Sequence, residues 1–324
     1  MAEESKRKHF KNGLARTKSM GMFWALILIC LIASVISPNF LKASNIVNVI
    51  RLVSINGIIA MGMTFVVLTG GVDLSVGAIV GVVAVSAAMM FQRNVPIILA
   101  VPAGLLIGAV LGIINGIGVT KGKLAPFIMT LGSLTALQGV SLYLANGSPQ
   151  NWRKTEIDFK FLGQGTLLGI PVPVYIFAAV FLISFYVLKY TEFGRSVYAV
   201  GDSREAARLS GINTGRVEAL CFVITGFLSA VSSIILISRL SVGEPTAGDG
   251  YELDALAMVY IGGCSTSGGS GSVIGTLIGA ILLSVISNVL NLLGVSPFLQ
   301  KVVKGLIIIG AVLLEKHGKK SKNV

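Results

Sequence analysis

Ten apolar runs divide this chain, at residues 20–37, 46–69, 73–92, 95–119, 124–145, 173–190, 217–238, 253–263, 273–294 and 297–314, each bounded by glycine, proline or charge. A helix needs about 20 apolar residues to cross a bilayer. The pattern therefore predicts an all-α polytopic membrane protein with about ten transmembrane helices. The eighth run is short, so it either begins outside the hydrocarbon or is a broken helix. Only 12% of the 324 residues are charged, about half the share in a soluble domain, which excludes an ordinary cytosolic enzyme. A 54% hydrophobic content excludes intrinsic disorder. Ten crossings leave room for loops but not for a large soluble domain. The expected organisation is a basic tail at 1–19, a membrane domain at 20–314 with its largest inner loop at about 191–216, and a basic tail at 315–324.

The formal net charge is +12, and the basic residues gather between apolar runs. With ten crossings and a cytoplasmic N-terminus, seventeen of the 26 Lys and Arg residues fall on the inner side. That asymmetry predicts cytoplasmic N- and C-termini. The first run resembles a signal peptide after Lys6, Arg7, Lys8 and Lys11. Ser37-Pro38-Asn39-Phe40 offers no small-x-small cleavage site, however, and the expectation is a retained helix. No basic stripe is interleaved with aromatics, so nucleic acid is not an expected partner.

Cys30, Cys221 and Cys264 form no framework and no C-x-x-C pair, and His9 and His317 lie in the tails. No convergent donor set for a metal is visible, nor a nucleophile–base arrangement that would make the chain an enzyme. Gly262 to Gly271 invites a phosphate-loop reading. No G-x-x-x-x-G-K-[ST] occurs anywhere in the chain, so this polypeptide does not hydrolyse ATP by that device. The stretch reads instead as a tight turn in which glycine supplies positive φ.

An internal echo gives the chain a weak two-lobed repeat. Gly70-Gly71 precedes Gly77-x-x-x-Gly81, and Gly262-Gly263 precedes Gly275-x-x-x-Gly279. Both halves are expected to carry a broken hairpin. Gly104, Gly108, Gly112 and Gly116 recur every fourth residue. In lipid, close helix contact depends on small residues, so this stripe is a helix-packing face, either static or sliding during gating.

Charged and polar residues beside the runs are the remaining candidates. A carboxylate deep in lipid is costly. Asp73, in Gly70-Gly71-Val72-Asp73-Leu74-Ser75, either caps the following helix or stands beside a translocation path, together with Ser75, Asp254, Gly262 and Gly263. In the loop at 191–216, Asp202 three residues before Glu205 reads as a capping box. Ala206, Ala207 and Leu209 give a small apolar face, Arg204 and Arg208 a basic one, and Gly211 a stop. The expectation is a short helix lying on the inner surface. It either anchors to lipid headgroups or, as its small face argues, inserts into a partner's groove. On the outer side, Glu244, Asp249, Glu252 and Asp254 either meet basic groups of a docking protein or are solvated.

Six stretches carry a family resemblance: SPNF at 37–40, GMTFVVLTGGVDLSVG at 62–77, NGSP at 146–149, FGRSVYAVGDSREAARLSGIN at 193–213, PTAGDGYELDALA at 245–257, and the glycine-rich turn onward to Ala280. In these the chain resembles the permease subunits of bacterial binding-protein-dependent ABC sugar importers, most closely the ribose-type branch. The resemblance implies import of a simple, ribose-like sugar across the bacterial inner membrane. It also implies a second permease subunit (homodimer or heterodimer), a cytoplasmic ABC ATPase that uses the ATP, and an extracytoplasmic sugar-binding protein. No cofactor is implied for the permease itself. Asp202, Glu205, Ala206, Ala207, Arg208, Gly211 and Asn213 then correspond to the ATPase-coupling loop. The chain departs from the importer signature where Cys221, Val223 and Ile224 fill its hydrophobic tail. It departs again at Thr266 and Ser270, where the branch often has an apolar and a basic residue. A permease of the same kind for branched-chain amino acids or nucleosides is the nearest alternative. An ion-coupled carrier, which needs intramembrane carboxylates, is the rival from another class.

Overall fold

The computed structural model describes residues 24–151 and 157–320; the segment 1–19 expected as a basic tail lies outside the described residues. In chain order the helices are α1 (Trp24–Ile36), α2 (Ala43–Leu68), α3 (Val76–Gln92), α4 (Ile97–Thr120), α5 (Pro126–Leu144), α6 (Ile157–Gln164), α7 (Val172–Tyr190), α8 (Glu192–Asp202), α9 (Arg204–Leu209), α10 (Thr214–Leu240), α11 (Tyr251–Ile261), α12 (Val273–Leu292) and α13 (Pro297–Lys320). Each apolar run of the sequence coincides with a helix, while α6, α8 and α9 lie between runs. Among the described residues six helices, α2, α4, α5, α7, α10 and α12, are long and apolar enough to cross a bilayer. The chain is an all-helical, multi-pass membrane protein.

The bundle is built around α2. Every residue from Val53 to Leu68 is buried, so this helix is apolar on all sides, as an interior helix must be. Around it pack α7, α10, α11 and α12. Several polar side chains packed against it are satisfied locally. Thr225 Oγ1 donates to the Gly62 carbonyl at 2.9 Å, Ser232 Oγ to the Ile55 carbonyl at 2.9 Å, and the Thr64 and Thr276 hydroxyls meet at 2.9 Å. Such bonds remove polar atoms that lipid could not satisfy.

The four-residue glycine stripe of α4 lies buried against α10. A Cβ at Gly104 would touch Ile234; at Gly108, Ala230 and the Gly226 carbonyl; at Gly112, the Phe222 carbonyl; and at Gly116, the Ala219 backbone. Gly226 answers from α10, where a Cβ would strike the Gly108 carbonyl. The backbones meet directly, which is what small residues permit where no hydrophobic drive separates protein from solvent.

The short eighth run is the helical half of a broken hairpin. The 11 residues of α11 rise about 16 Å at 1.5 Å per residue, roughly half the hydrocarbon thickness. The preceding segment 241–250 folds back along α3. Ser141 Oγ donates to the Pro245 carbonyl at 3.1 Å, and the backbones of Gly77 and Gly248 lie against each other. This segment carries β4 (Val242–Gly243), paired antiparallel with β1 (Gln150–Asn151). A separate hairpin joins β2 (Thr166–Leu167) to β3 (Ile170–Pro171).

The two ends of the bundle are distinct. Gln92 Nε2 donates to the Asn151 carbonyl at 2.9 Å and Gln164 Nε2 to the Arg239 carbonyl at 2.9 Å, so the loops around β1, β4 and α6 share one end. The end of α2, the α8–α9 segment and the turn 262–272 share the other.

The glycine pairs do not align as the sequence suggested. Gly70 and Gly263 are the equivalent residues, each at positive φ (83° and 82°) and each closing the same helix stop. Gly70 N–H donates to the Val67 carbonyl and Gly71 N–H to that of Val66; Gly263 N–H donates to Tyr260 and Cys264 N–H to Val259. Both are Schellman motifs, shifted by one residue relative to the pairing of Gly70-Gly71 with Gly262-Gly263. Beyond them the halves diverge. α12 packs back on α11, whereas α3 leaves α2 for α4, α5 and α10.

Candidate functional site

The α8–α9 segment, the end of α2 and the 262–272 turn form one glycine-packed unit. Thr191 joins α7 to α8, its Oγ1 donating to the Val187 carbonyl at 2.7 Å and accepting from Gly194 N–H at 3.1 Å. α8 buries Gly194, Val197 and Val200, and Phe193 stacks on Phe65 of α2 with centroids 6.3 Å apart. At its far end Tyr198 Oη donates to the Gly271 carbonyl at 3.1 Å. Gly269 N–H donates to the Leu68 carbonyl at 2.9 Å. Gly201 fits where a Cβ would overlap both that carbonyl and Gly269. Gly268, Gly269 and Gly271 all hold positive φ, which lets the turn pass between α2 and α8.

The expected short helix at 202–211 is α9 (Arg204–Leu209), and another helix, α8, precedes it and ends at Asp202, with the break at Ser203. Asp202 does not cap α9: it ends α8. Ser203, extended at φ −156° and ψ 107°, takes that position, its Oγ accepting from Ala206 N–H at 3.3 Å. The break follows from packing. Gly201 is pinned against Leu68 and Gly269, so the chain must turn at Ser203 before a new helix can start, and the serine hydroxyl satisfies its first free N–H groups. Glu205 therefore makes no capping box. It holds Arg208 instead, with Oε1 at 2.6 Å and Oε2 at 3.1 Å from the guanidinium, and the guanidinium keeps the Glu205 carboxyl below its ordinary range.

The faces of α9 also differ from expectation. Ala207 is buried at 4% exposure, whereas Leu209 is 74% exposed and Ala206 is exposed as well. The small apolar face is thus divided between bundle and surface. The basic face is also divided, because Arg204 turns to Glu218 of α10 at 3.0 Å. Gly211, at φ 85°, ends α9 as expected: its N–H donates to Arg208 and that of Ile212 to Ala207, a Schellman stop. Asn213 caps α10, accepting from Arg216 N–H at 3.0 Å. Glu205, Ala206, Arg208 and Leu209 remain turned outward on a support packed against the end of α2 and the 262–272 turn.

Asp73 lies apart from this unit. It is fully buried, and its Oδ1 accepts from Ser75 N–H at 2.9 Å and Ser75 Oγ at 2.6 Å, an Asx turn leading into α3. Asn115 Nδ2 of α4 donates to Ser75 Oγ at 2.7 Å, and Ser133 Oγ of α5 donates to Asn115 Oδ1. The chain of contacts ties three helices together. Oδ2 has no hydrogen-bond partner among the described residues.

Asp254 is not part of a solvated acidic cluster. It is buried on α11, where Lys304 of α13 donates to its Oδ2 at 2.7 Å. Glu252 turns inward as well, its Oε2 buried beside Gly77 without a partner among the described residues. Asp249 stays exposed, and Glu244 accepts from Thr246 at 3.0 Å.

Sequence reasoning missed Asn115, Ser203, Glu218 and Lys304. For Asn115 and Lys304 a signal existed, since each interrupts an otherwise apolar run. For Glu218 the partner Arg204 sits fourteen positions away in sequence, and no local pattern links them. Among the described residues no group of three His, Cys, Asp or Glu is placed to hold a metal ion.

Comparison with known proteins adds to this geometry. Residues 45–312 match the family described as "Branched-chain amino acid transport system / permease component". The chain is 47% identical to the ribose import permease protein RbsC of Bacillus subtilis over 313 residues, 97% of this chain and 96% of that protein. It is 45% identical to RbsC of Haemophilus influenzae, over 91% of this chain and 92% of the other. It is 32% identical to the L-arabinose transport system permease protein AraH of Escherichia coli, over 93% and 92%. No solved structure matches.

Proposed function

This chain belongs to the ribose-type permeases of bacterial ABC sugar importers, and from that premise we propose how it works. It is the membrane subunit that admits a ribose-like monosaccharide to the cytoplasm, with ATP hydrolysis supplied by a separate ATPase and sugar delivered by an extracytoplasmic binding protein. A second permease subunit completes the membrane dimer. The chain sits in the inner membrane with about ten crossings and both termini cytoplasmic, the orientation that its Lys and Arg distribution favours.

In this reading α9 is the contact for the ATPase, and α8 transmits what α9 feels. The observation that carries it is the join of α8 to the end of α2 through Gly201, Leu68 and Gly269. A push on α9 reaches the helix at the centre of the bundle without a flexible link. The glycine seam between α4 and α10 allows the surrounding helices to move as units. Few charged groups enter the bundle, which suits a permease that leaves sugar selection to its delivery protein.

The test is reconstitution. Vesicles that contain the permease, its ATPase and its binding protein take up labelled ribose only when ATP is inside. Uptake by the permease alone under a proton gradient overturns the reading in favour of an ion-coupled carrier. The description of the matched family favours one other substrate class; leucine uptake in the complete system, with ribose ignored, would establish that alternative.

A further inference from the structure

Between α2, α4, α7 and α10 lies a cavity of about 400 Å³, lined by Phe65, Ala109, Val180, Val187, Val223 and Phe227 among others. Ser184 is the one polar side chain in its wall. It opens on the outer face of the bundle, where Ile183 is 63% and Phe227 40% exposed. All four helices that form it are long and apolar enough to span a bilayer, so the space lies at membrane depth. Its polarity does not suit a sugar, since burying hydroxyls in a wall without partners is costly, nor does it suit water, which leaves apolar cavities empty.

The rim on the α8–α9 side has a different character. Arg216 stands seven and eleven residues before Val223 and Phe227 on α10, which at 3.6 residues per turn puts it on the same helix face. It is exposed, and its guanidinium forms no ion pair among the described residues. Tyr190, seven residues after Ile183 on α7, is 56% exposed at the same end. An arginine fork pairs well with phosphate, and a tyrosine at the end of a spanning helix sits at headgroup depth.

We propose that this groove binds one anionic glycerophospholipid, with an acyl chain in the cavity and the phosphate at Arg216 beside Tyr190. The lipid occupies the notch that α7 leaves open beside the packed pair α4 and α10. Its headgroup lies at the start of α10, at Arg216, three residues beyond the Asn213 cap that follows α9.

The test uses the full-length chain in which Trp24 and Trp152 are replaced by Phe and Ile183→Trp is the reporter. Reconstituted with dibrominated phosphatidylglycerol or dibrominated phosphatidylcholine, the reporter reads which acyl chain lies in the groove. Phosphatidylglycerol is expected to be preferred roughly fivefold, the preference one cation gives near an anionic surface. Lys189 Nζ lies 5.1 Å from the Tyr190 ring centroid, so Arg216→Gln together with Lys189→Gln is expected to abolish that preference while leaving quenching by phosphatidylcholine intact, Arg216→Gln alone to reduce it, and Arg216→Lys to keep most of it. Equal quenching by the two lipids overturns the proposal, because the groove then holds bulk lipid without recognition. Absence of quenching by either also overturns it, because a second copy of the chain then covers the groove.

Discussion

Gly201 of α8 lies directly against the carbonyl of Leu68 at the end of α2, with no room for a Cβ between them. The same carbonyl accepts the Gly269 N–H at 2.9 Å. Three segments far apart in sequence are therefore joined at one oxygen atom, and α8 and α2 cannot shift relative to each other without breaking that contact.

Replacing Gly201 by alanine forces this join apart. Overpacking of this kind costs about 1–3 kcal/mol, so Gly201→Ala is expected to lower the melting temperature of the purified protein by several degrees and to reduce ATP-driven uptake. Hydrolysis by the bound ATPase should persist. A variant with unchanged stability and unchanged uptake would show that α8 and α2 are not mechanically joined.

The inward turn of Ala207 separates two kinds of substitution on α9. Ala207→Arg puts a charge into a buried site and is expected to disturb the loop itself. Leu209, exposed at 74%, touches little of its own chain. Leu209→Asp should leave stability within about 0.5 kcal/mol and abolish ATP-dependent uptake. Co-purification of the ATPase is the second readout, expected to be lost together with uptake.

Asp254 and Lys304 form a largely buried ion pair at 2.7 Å. Removing one partner of such a pair strands the other charge and costs about 3–5 kcal/mol, whereas removing both costs much less. Lys304→Met alone is therefore expected to destabilise the protein more than Asp254→Leu with Lys304→Met together. Denaturation of the wild type, Asp254→Leu, Lys304→Met and the double variant in one detergent closes the cycle. A double-variant loss equal to the sum of the two single losses would mean that the pair carries no coupling.

At Asp73 one oxygen accepts both bonds from Ser75 and the other has no partner among the described residues. Asp73→Asn keeps the acceptor for Ser75 and is expected to fold and express normally. Asp73→Ala leaves the buried Ser75 N–H unsatisfied, at a cost of about 1–3 kcal/mol, and should lower thermal stability. Normal stability of the Asn variant with a loss of uptake would assign the second oxygen to transport.

The helical segments were legible because lipid imposes a simple rule. A segment that crosses must be apolar for its whole length and must satisfy its own backbone, so runs such as 46–69 and 217–238 could be read directly. Local stops were legible too: Gly211 ends a helix because only a residue free to adopt positive φ closes the last turn. The cap at Ser203 was misread because Asp202 and Ser203 both suit that position by type. What decided between them was Gly201, held by contacts with residues 68 and 269 that no local window contains.

Sequence alone determined that the chain lives in a membrane, which segments are helical, which helix carries a glycine face, and to which family the chain belongs. The first three are properties of composition and short-range periodicity, which lipid makes strict; the family was read from the resemblance of six stretches to known permeases. Tertiary structure decided that Glu252 and Asp254 turn inward, that Asp254 meets Lys304, that Arg204 meets Glu218, and that α8 leans on the end of α2. Each of these depends on which faces of distant helices come together, and in an all-apolar bundle a residue's own helix does not mark the side its neighbour will take.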